Sequence, residues 1–288
     1  MKSTFFWLIF PCLCVAQTKG IVKDSLSGLP IPYANIWVED ENIGTNSESD
    51  GTFYLDLKTE KNLIFSALGY ETKKVNSSIV QTVLLQPKTY FLEEVVVEKT
   101  KNESQKKIGN AKQKYYKHSF QNTSQVYGKV FNVGKKQLKT PFLSKVEIFT
   151  HSNIDSARFR LRIMDLDENG FPNNDLLQKE IIVFVKKGFR KTVVDLKAMA
   201  VYLTDEKVFV GFQSLIIQEN KYKFDVDKKI KLRQKAHQHE PSLIINPSVE
   251  GLVFHSYQPG KWSQIKVKNR GGLEGKIASP AINIVLSD

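Results

Sequence analysis

Apolar and polar positions alternate in short runs along most of this chain. A period of two marks strands, because successive side chains of a strand point to opposite faces. In Ala34-Asn35-Ile36-Trp37-Val38, the residues Ala34, Ile36 and Val38 share one face and leave Asn35 and Trp37 on the other. The next run repeats the pattern, with Phe53, Leu55 and Leu57 opposed to Tyr54, Asp56 and Lys58. Asp50-Gly51 ahead of it suits a tight turn, since Gly accepts positive φ and Asp bonds the local backbone. Leu63, Phe65 and Ala67 give a further strand, and Val83-Leu84-Leu85 and Val95-Val96-Val97 supply others. Runs this short, broken by turn residues, predict a small β-sandwich over residues 17–98.

Residues 99–125 are rich in Lys, Asn, Gln and Ser with few apolar groups, and read as a solvated basic linker. Beyond it Leu143 to Phe149 alternates, and Arg158-Phe159-Arg160-Leu161-Arg162-Ile163 does so strictly, with Phe159, Leu161 and Ile163 inward. Strand-like runs continue at Ile181 to Val185, Thr192 to Leu196, Val208 to Phe212, Ser214 to Gln218, Leu252 to Tyr257, Trp262 to Val267 and Ala281 to Leu286. About eight short strands with turns between them predict a second, jelly-roll-like sandwich over residues 126–288. The expected fold class is therefore all-β, two sandwiches in series.

The start of the chain differs. Lys2 precedes the apolar run Phe5 to Leu13, and Cys14-Val15-Ala16 offers a small-residue cleavage site, so residues 1–16 read as a cleaved signal peptide with Gln17 following. The run falls short of the ~20 residues that span a bilayer. Both cysteines, Cys12 and Cys14, lie inside it. The exported protein then has no thiol for disulfides, thiolate zinc sites or nucleophilic catalysis. Neither cysteine follows a lipoprotein-type triplet, which argues against lipid anchoring. An exported protein of the periplasm, outer membrane or cell surface is expected.

The formal net charge of +12 is unevenly placed. Residues 20–98 carry six basic and twelve acidic groups, whereas residues 99–139 carry eleven Lys and a single Glu. Lys106, Lys107, Lys112, Lys114 and Lys117 are accordingly candidates for contact with an anionic envelope surface such as lipopolysaccharide. Export makes nucleic acid an unsuitable partner.

Several segments of the first sandwich follow in an order that resembles a known family. They are Gly20-Ile21-Val22-Lys23-Asp24, Gly28-Leu29-Pro30-Ile31-Pro32-Tyr33-Ala34-Asn35-Ile36, Thr45 to Phe53, Ala67-Leu68-Gly69-Tyr70-Glu71 and Leu92-Glu93-Glu94-Val95-Val96-Val97. Together they resemble the carboxypeptidase regulatory-like domain, whose fold is a transthyretin-like seven-stranded sandwich. In Gram-negative envelopes that domain often precedes TonB-dependent receptor plugs. The resemblance implies an outer-membrane protein complex, of transporter or secretion type, as partner. The second half is similar to a C-terminal module paired with this domain in envelope proteins, a likeness that carries architecture and no activity.

Catalytic constellations are weak. His237-Gln238-His239-Glu240 has a His-x-x-Glu spacing known from zinc carboxypeptidases, but only His255 follows it as a further imidazole. Asp165-Leu166-Asp167-Glu168-Asn169-Gly170 begins like a calcium loop, yet the closing bidentate position is Leu176. There is no Gly-x-Ser-x-Gly elbow and no phosphate-binding glycine loop. No cofactor and no metal are expected, and a hydrolase is the weakest reading. The expected function is non-enzymatic, as an envelope binding or accessory protein, with glycan binding as the alternative. Arg158, Arg160 and Arg162 share one strand face at a repeat of ~6.6 Å and could recognise carboxylates or phosphates, or form a plain solvated face. Trp37, Tyr257 and Trp262 are candidate aromatic platforms for a sugar.

Overall fold

The computed structural model describes residues 17–88, 104–112, 116–121, 123–134, 142–225, 235–249, 251–258, 261–266 and 275–288. The expected leader at 1–16, the run Val95-Val96-Val97 and Lys114 lie outside the described residues.

The first domain has seven strands: β1 (Gln17–Asp24), β2 (Asn35–Val38), β3 (Gly44–Asn46), β4 (Thr52–Asp56), β5 (Asn62–Ser66), β6 (Lys73–Asn76) and β7 (Thr82–Leu85). They form two sheets, β4-β1-β7 and β3-β2-β5-β6. Val22, Phe53, Val83 and Leu85 from one sheet meet Ile36, Val38, Leu63 and Phe65 from the other in a single core. Phe53 packs edge to face on Phe65 with ring centroids 5.4 Å apart. Burying such side chains stabilises the fold by about 1.5–3 kcal/mol each. Gly51 turns the chain at φ +80, and a Cβ there would meet Pro30 Cβ at 2.7 Å. Asp50 Oδ1 accepts the Thr52 N–H at 2.9 Å, so this turn is made as its dipeptide predicts.

The second domain is built from β8 (Gln105–Ile108), β9 (Tyr116–Phe120), β10 (Val126–Asn132), β11 (Phe142–Ser152), β12 (Ala157–Leu166), β13 (Pro172–Asp175), β14 (Ile181–Val185) and β15 (Gly188–Asp195). It continues with β16 (Lys207–Ser214), β17 (Lys221–Asp225), β18 (Lys235–Ser248), β19 (Val253–Gln258), β20 (Lys261–Gln264), β21 (Ile277–Pro280) and β22 (Ile282–Ser287). One sheet runs β13-β12-β16-β10-β19-β20 with β14 also on β12. The other runs β17-β18-β11-β22-β8, with β15 on β11 and with β9 and β21 on β18. Phe159, Leu161, Ile163 and Phe212 of the first sheet share one core with Val146, Ile148, Ile284 and Leu286 of the second. The molecule is an all-β protein of two sandwiches.

The linker expectation for 99–125 is corrected in its described parts. Residues 105–108 pair with β22 and residues 116–120 pair with β18, so both belong to the second sandwich. Phe120 is fully buried and stacks on Phe212 with centroids 5.2 Å apart, and Phe212 stacks in turn on Phe159 at 4.4 Å. Gln105, Lys106 and Lys107 remain exposed while Ile108 packs on the core. A strand on one flank of a sheet is held by backbone hydrogen bonds and needs few apolar side chains, so its composition reads as loop. The expected strand Ser214 to Gln218 is likewise replaced, after the end of β16, by a buried irregular segment at Leu215, Ile216 and Ile217.

Candidate functional site: the interdomain cleft

Residues 33–50 of the first domain dock on the outer face of the seven-stranded sheet, where β12 aims its alternate arginines. Arg160 is buried, and its guanidinium donates to the Tyr33 carbonyl, to Asn35 Oδ1 and Gln213 Oε1 at 3.2 Å each, and to Glu180 at 3.0 Å. Arg158 donates to the Tyr33 hydroxyl at 2.8 Å and stacks over the Phe184 ring at 4.9 Å. Arg162 makes a two-point ion pair with Asp175, Nε to Oδ1 at 2.8 Å and Nη2 to Oδ2 at 2.7 Å. The outer face of β12 is therefore not a solvated one. Two of its arginines fasten the first domain and the third is matched by a carboxylate, a fork geometry that Lys could not reproduce.

The contact continues through backbone and carboxyl groups. Ile216 N donates to Asn46 Oδ1 at 2.9 Å, and Thr45 Oγ1 donates to the Ile216 carbonyl at 3.1 Å. Both carboxyl oxygens of Glu48 accept the Gln218 N–H at 3.1 Å, and Ser49 Oγ donates to Glu219 at 3.2 Å. Burial, then the hydrogen bond to Glu219, push Glu48 up to about 8, while that same bond lowers Glu219. Burial and the neighbouring Glu219 thus favour the protonated form of Glu48. At the far end Lys261 pairs with Asp40 at 2.8 Å and Gln258 donates to the Glu41 carbonyl at 2.5 Å.

Between these ties lies a cavity of about 1080 Å³. The first domain contributes β2, β3 and the loop 66–72 to its wall, and the second contributes β12, β13, the loop 176–180 and the β19–β20 hairpin. Trp37, Tyr257 and Trp262, far apart in sequence, all line it, as do Arg160 and Arg162. Trp37 is buried, whereas Tyr257 and Trp262 are half-buried, Trp262 standing edge-on to Phe209 at 5.1 Å. Arg158 stands outside the cavity wall.

The four described lysine candidates are all exposed and are held in different ways. Lys107 Nζ bonds Glu147 Oε2 at 2.5 Å across β8 and β11. Burial raises Glu147, but the bonds from Lys107 and Asn283 outweigh it and bring the carboxyl down to about 2. The backbone of Lys112 is held by Asn246, and Lys117 lies over the Phe189 ring at 5.7 Å. Lys106 is exposed on β8.

The two metal-like motifs find other employment. In extended β18, His237 and Glu240 fall on opposite faces, and Glu240 accepts from Asn153 at 2.5 Å and from Gln238 at 2.8 Å. Burial lowers His239 to about 4, and it bonds the Gln121 carbonyl. Asp167 accepts the N–H groups of Asn169 and Phe171, and Asp165 those of Asn174, closing a turn with protein donors. Among the described residues no group of three or more His, Cys, Asp or Glu could hold a metal ion, and no helix is long and apolar enough to cross a membrane.

The residues that complete the site, Tyr33, Asn35, Asp175, Glu180 and Gln213, carried no signal of their own. The two-residue arginine repeat was the readable half of the contact. Its partners lie up to 127 positions away, and no local pattern announces such a pairing.

The chain is 37% identical to the TonB-dependent receptor SusC of Bacteroides thetaiotaomicron over 79 residues, which are 27% of this chain and 8% of that receptor. The chain thus spans a small fraction of that relative's length. The family model of the CarboxypepD_reg-like domain matches residues 18–97, a range that takes in the described strands β1 to β7, on one side of the cleft.

Proposed function

We propose that this chain is a non-enzymatic binding or accessory protein of a Gram-negative envelope, acting beside an outer-membrane transporter of the TonB-dependent receptor type and holding a ligand in the interdomain cleft. The observation that carries this reading is the cleft itself. A domain matched by the CarboxypepD_reg-like family model is fixed by Arg160 to a second sandwich, and the two share one cavity. Two carboxylates in the wall, Asp175 and Glu180, are ion-paired to Arg162 and Arg160. Such pairing suits a wall that positions a ligand by shape and hydrogen bonds.

Mild cross-linking of native membranes followed by affinity purification tests the partner. Enrichment of a receptor-type outer-membrane barrel protein, relative to membranes lacking the bait, is expected. Recovery of the chain alone, or only with soluble proteins, would overturn the reading.

A further inference from the structure

We infer that the interdomain cleft is a saccharide site taking an oligosaccharide segment between Trp37 of the first domain and Trp262 and Tyr257 of the second. The inference rests on the cleft being the ligand site proposed above. A sugar ring offers one face of C–H groups and a rim of hydroxyls. The wall answers both. The half-buried rings of Tyr257 and Trp262 and the uncovered edge of buried Trp37 line it with apolar surface that costs little conformational entropy to order. Asn173 and Gln178 present carboxamides, each with donor and acceptor atoms, as hydroxyls that both donate and accept require, while Asn174 and Gln258 already donate to Asp165 and to the Glu41 carbonyl.

Charge at the wall points the same way. Arg162 is matched by Asp175 and Arg160 by Glu180, so neither guanidinium is left for a phosphate nor either carboxylate for an ammonium. Along this part of the wall, ligand recognition is then left to hydrogen bonds and stacking. Lys88 and Lys179 also line the cavity, which makes an acidic sugar the variant to compare with a neutral one. A volume of about 1080 Å³ is at the top of the range of ~300–1,000 Å³ for small-molecule pockets, which suits several linked rings better than one.

The sequence has three tryptophans, Trp7 in the expected leader and Trp37 and Trp262 in the cleft. In the chain from Gln17 onward, intrinsic tryptophan fluorescence therefore reports on this cavity alone. The exported protein is titrated with a panel of soluble neutral oligosaccharides (glucans, mannans and xylans) and acidic ones (oligogalacturonates), with an unstructured peptide as control. A saturable emission change with one sugar group is expected. Tyr257→Ala should weaken binding by about tenfold, the scale of one lost stacking contact, while its circular dichroism and melting stay unchanged. Trp262→Phe, which keeps an aromatic face and the packing on Phe209, should weaken it less than Trp262→Ala. No response to any sugar, saturable binding of the peptide instead, or sugar binding insensitive to both positions would each overturn the inference. A protein that recovers its membrane partner but ignores every sugar loses this inference and keeps the partner. One that binds sugar but recovers no receptor does the reverse.

Discussion

Arg160 sits with its side chain 4% exposed and its guanidinium shared among Tyr33, Asn35, Gln213 and Glu180. Removing such a group leaves Glu180 without its cation and the Tyr33 carbonyl without its guanidinium donor, while Asn35 Oδ1 and Gln213 Oε1 keep donors from Asn46, Gln213 and Arg162. Breaking a buried pair in this way costs about 3–5 kcal/mol. Arg160→Ala should therefore cost about 3 kcal/mol and split a single urea transition into two, one for each sandwich. Arg160→Lys should restore little of it, because an ammonium cannot span both the Tyr33 carbonyl and Glu180. Coincident, unshifted transitions by tryptophan emission and far-ultraviolet dichroism would show that the contact does not couple the domains. The arginine repeat was visible in the sequence, but the same alternation serves a solvated face, a ligand stripe or a docking strip. What distinguishes them is the opposing surface, which another domain supplies.

At the level of elements, the turn at 47–50 and the segment 215–220 meet through Glu48 and Glu219, with Asp50, Ser49, Gln218 and Arg158 around them. Glu48 is raised from 4.5 to about 8, chiefly by burial and then by its bond to Glu219. A raised carboxyl favours folding while it stays protonated, so its contribution is whole below the unfolded value and is lost as pH rises through about 8. The melting temperature should fall between about pH 5 and pH 9, and Glu48→Gln, which keeps a donor to Glu219 without the charge, should flatten that fall. An equal slope in both proteins would show that the pair does not hold the interface. Glu147 behaves oppositely. Its value near 2 means that its contribution is present above the ordinary carboxyl range and disappears as pH falls through 2. Lys107→Gln should cost no more than about 1 kcal/mol at pH 7, since the lysine is half-exposed, and the difference should shrink at about pH 2 in urea titrations. A loss that persists in acid would assign Lys107 a role outside this pair. The strands with a buried face, such as Phe159-Leu161-Ile163, were legible from their period. Strands β8 and β9 were not, because backbone pairing to β22 and β18 makes them strands despite their lysines.

Across the whole molecule, β8 and β9 place the boundary between the sandwiches ahead of Ser104 rather than at 125. A fragment beginning at residue 126 lacks Phe120, the outer ring of the stack that runs through Phe212 to Phe159, and should be unfolded or aggregated. One beginning at 104 should give a cooperative melt. Two equally stable fragments would return residues 104–121 to the status of a linker. The sequence alone was sufficient for the all-β class, the strands β2, β4, β5 and β7 of the first domain, the absence of thiols beyond Cys14 and the likeness of the first domain to the regulatory-like family. These follow from the period of two, turn dipeptides and an ordered set of short motifs, all properties of neighbours along the chain. The closure of the cleft, the matching of Arg162 by Asp175 and the placing of Trp37 and Trp262 on the wall of one cavity were decided only by tertiary structure. Residues more than 200 positions apart share that cavity because two sandwiches bury opposed faces against each other, and such complementarity leaves no periodicity in either segment.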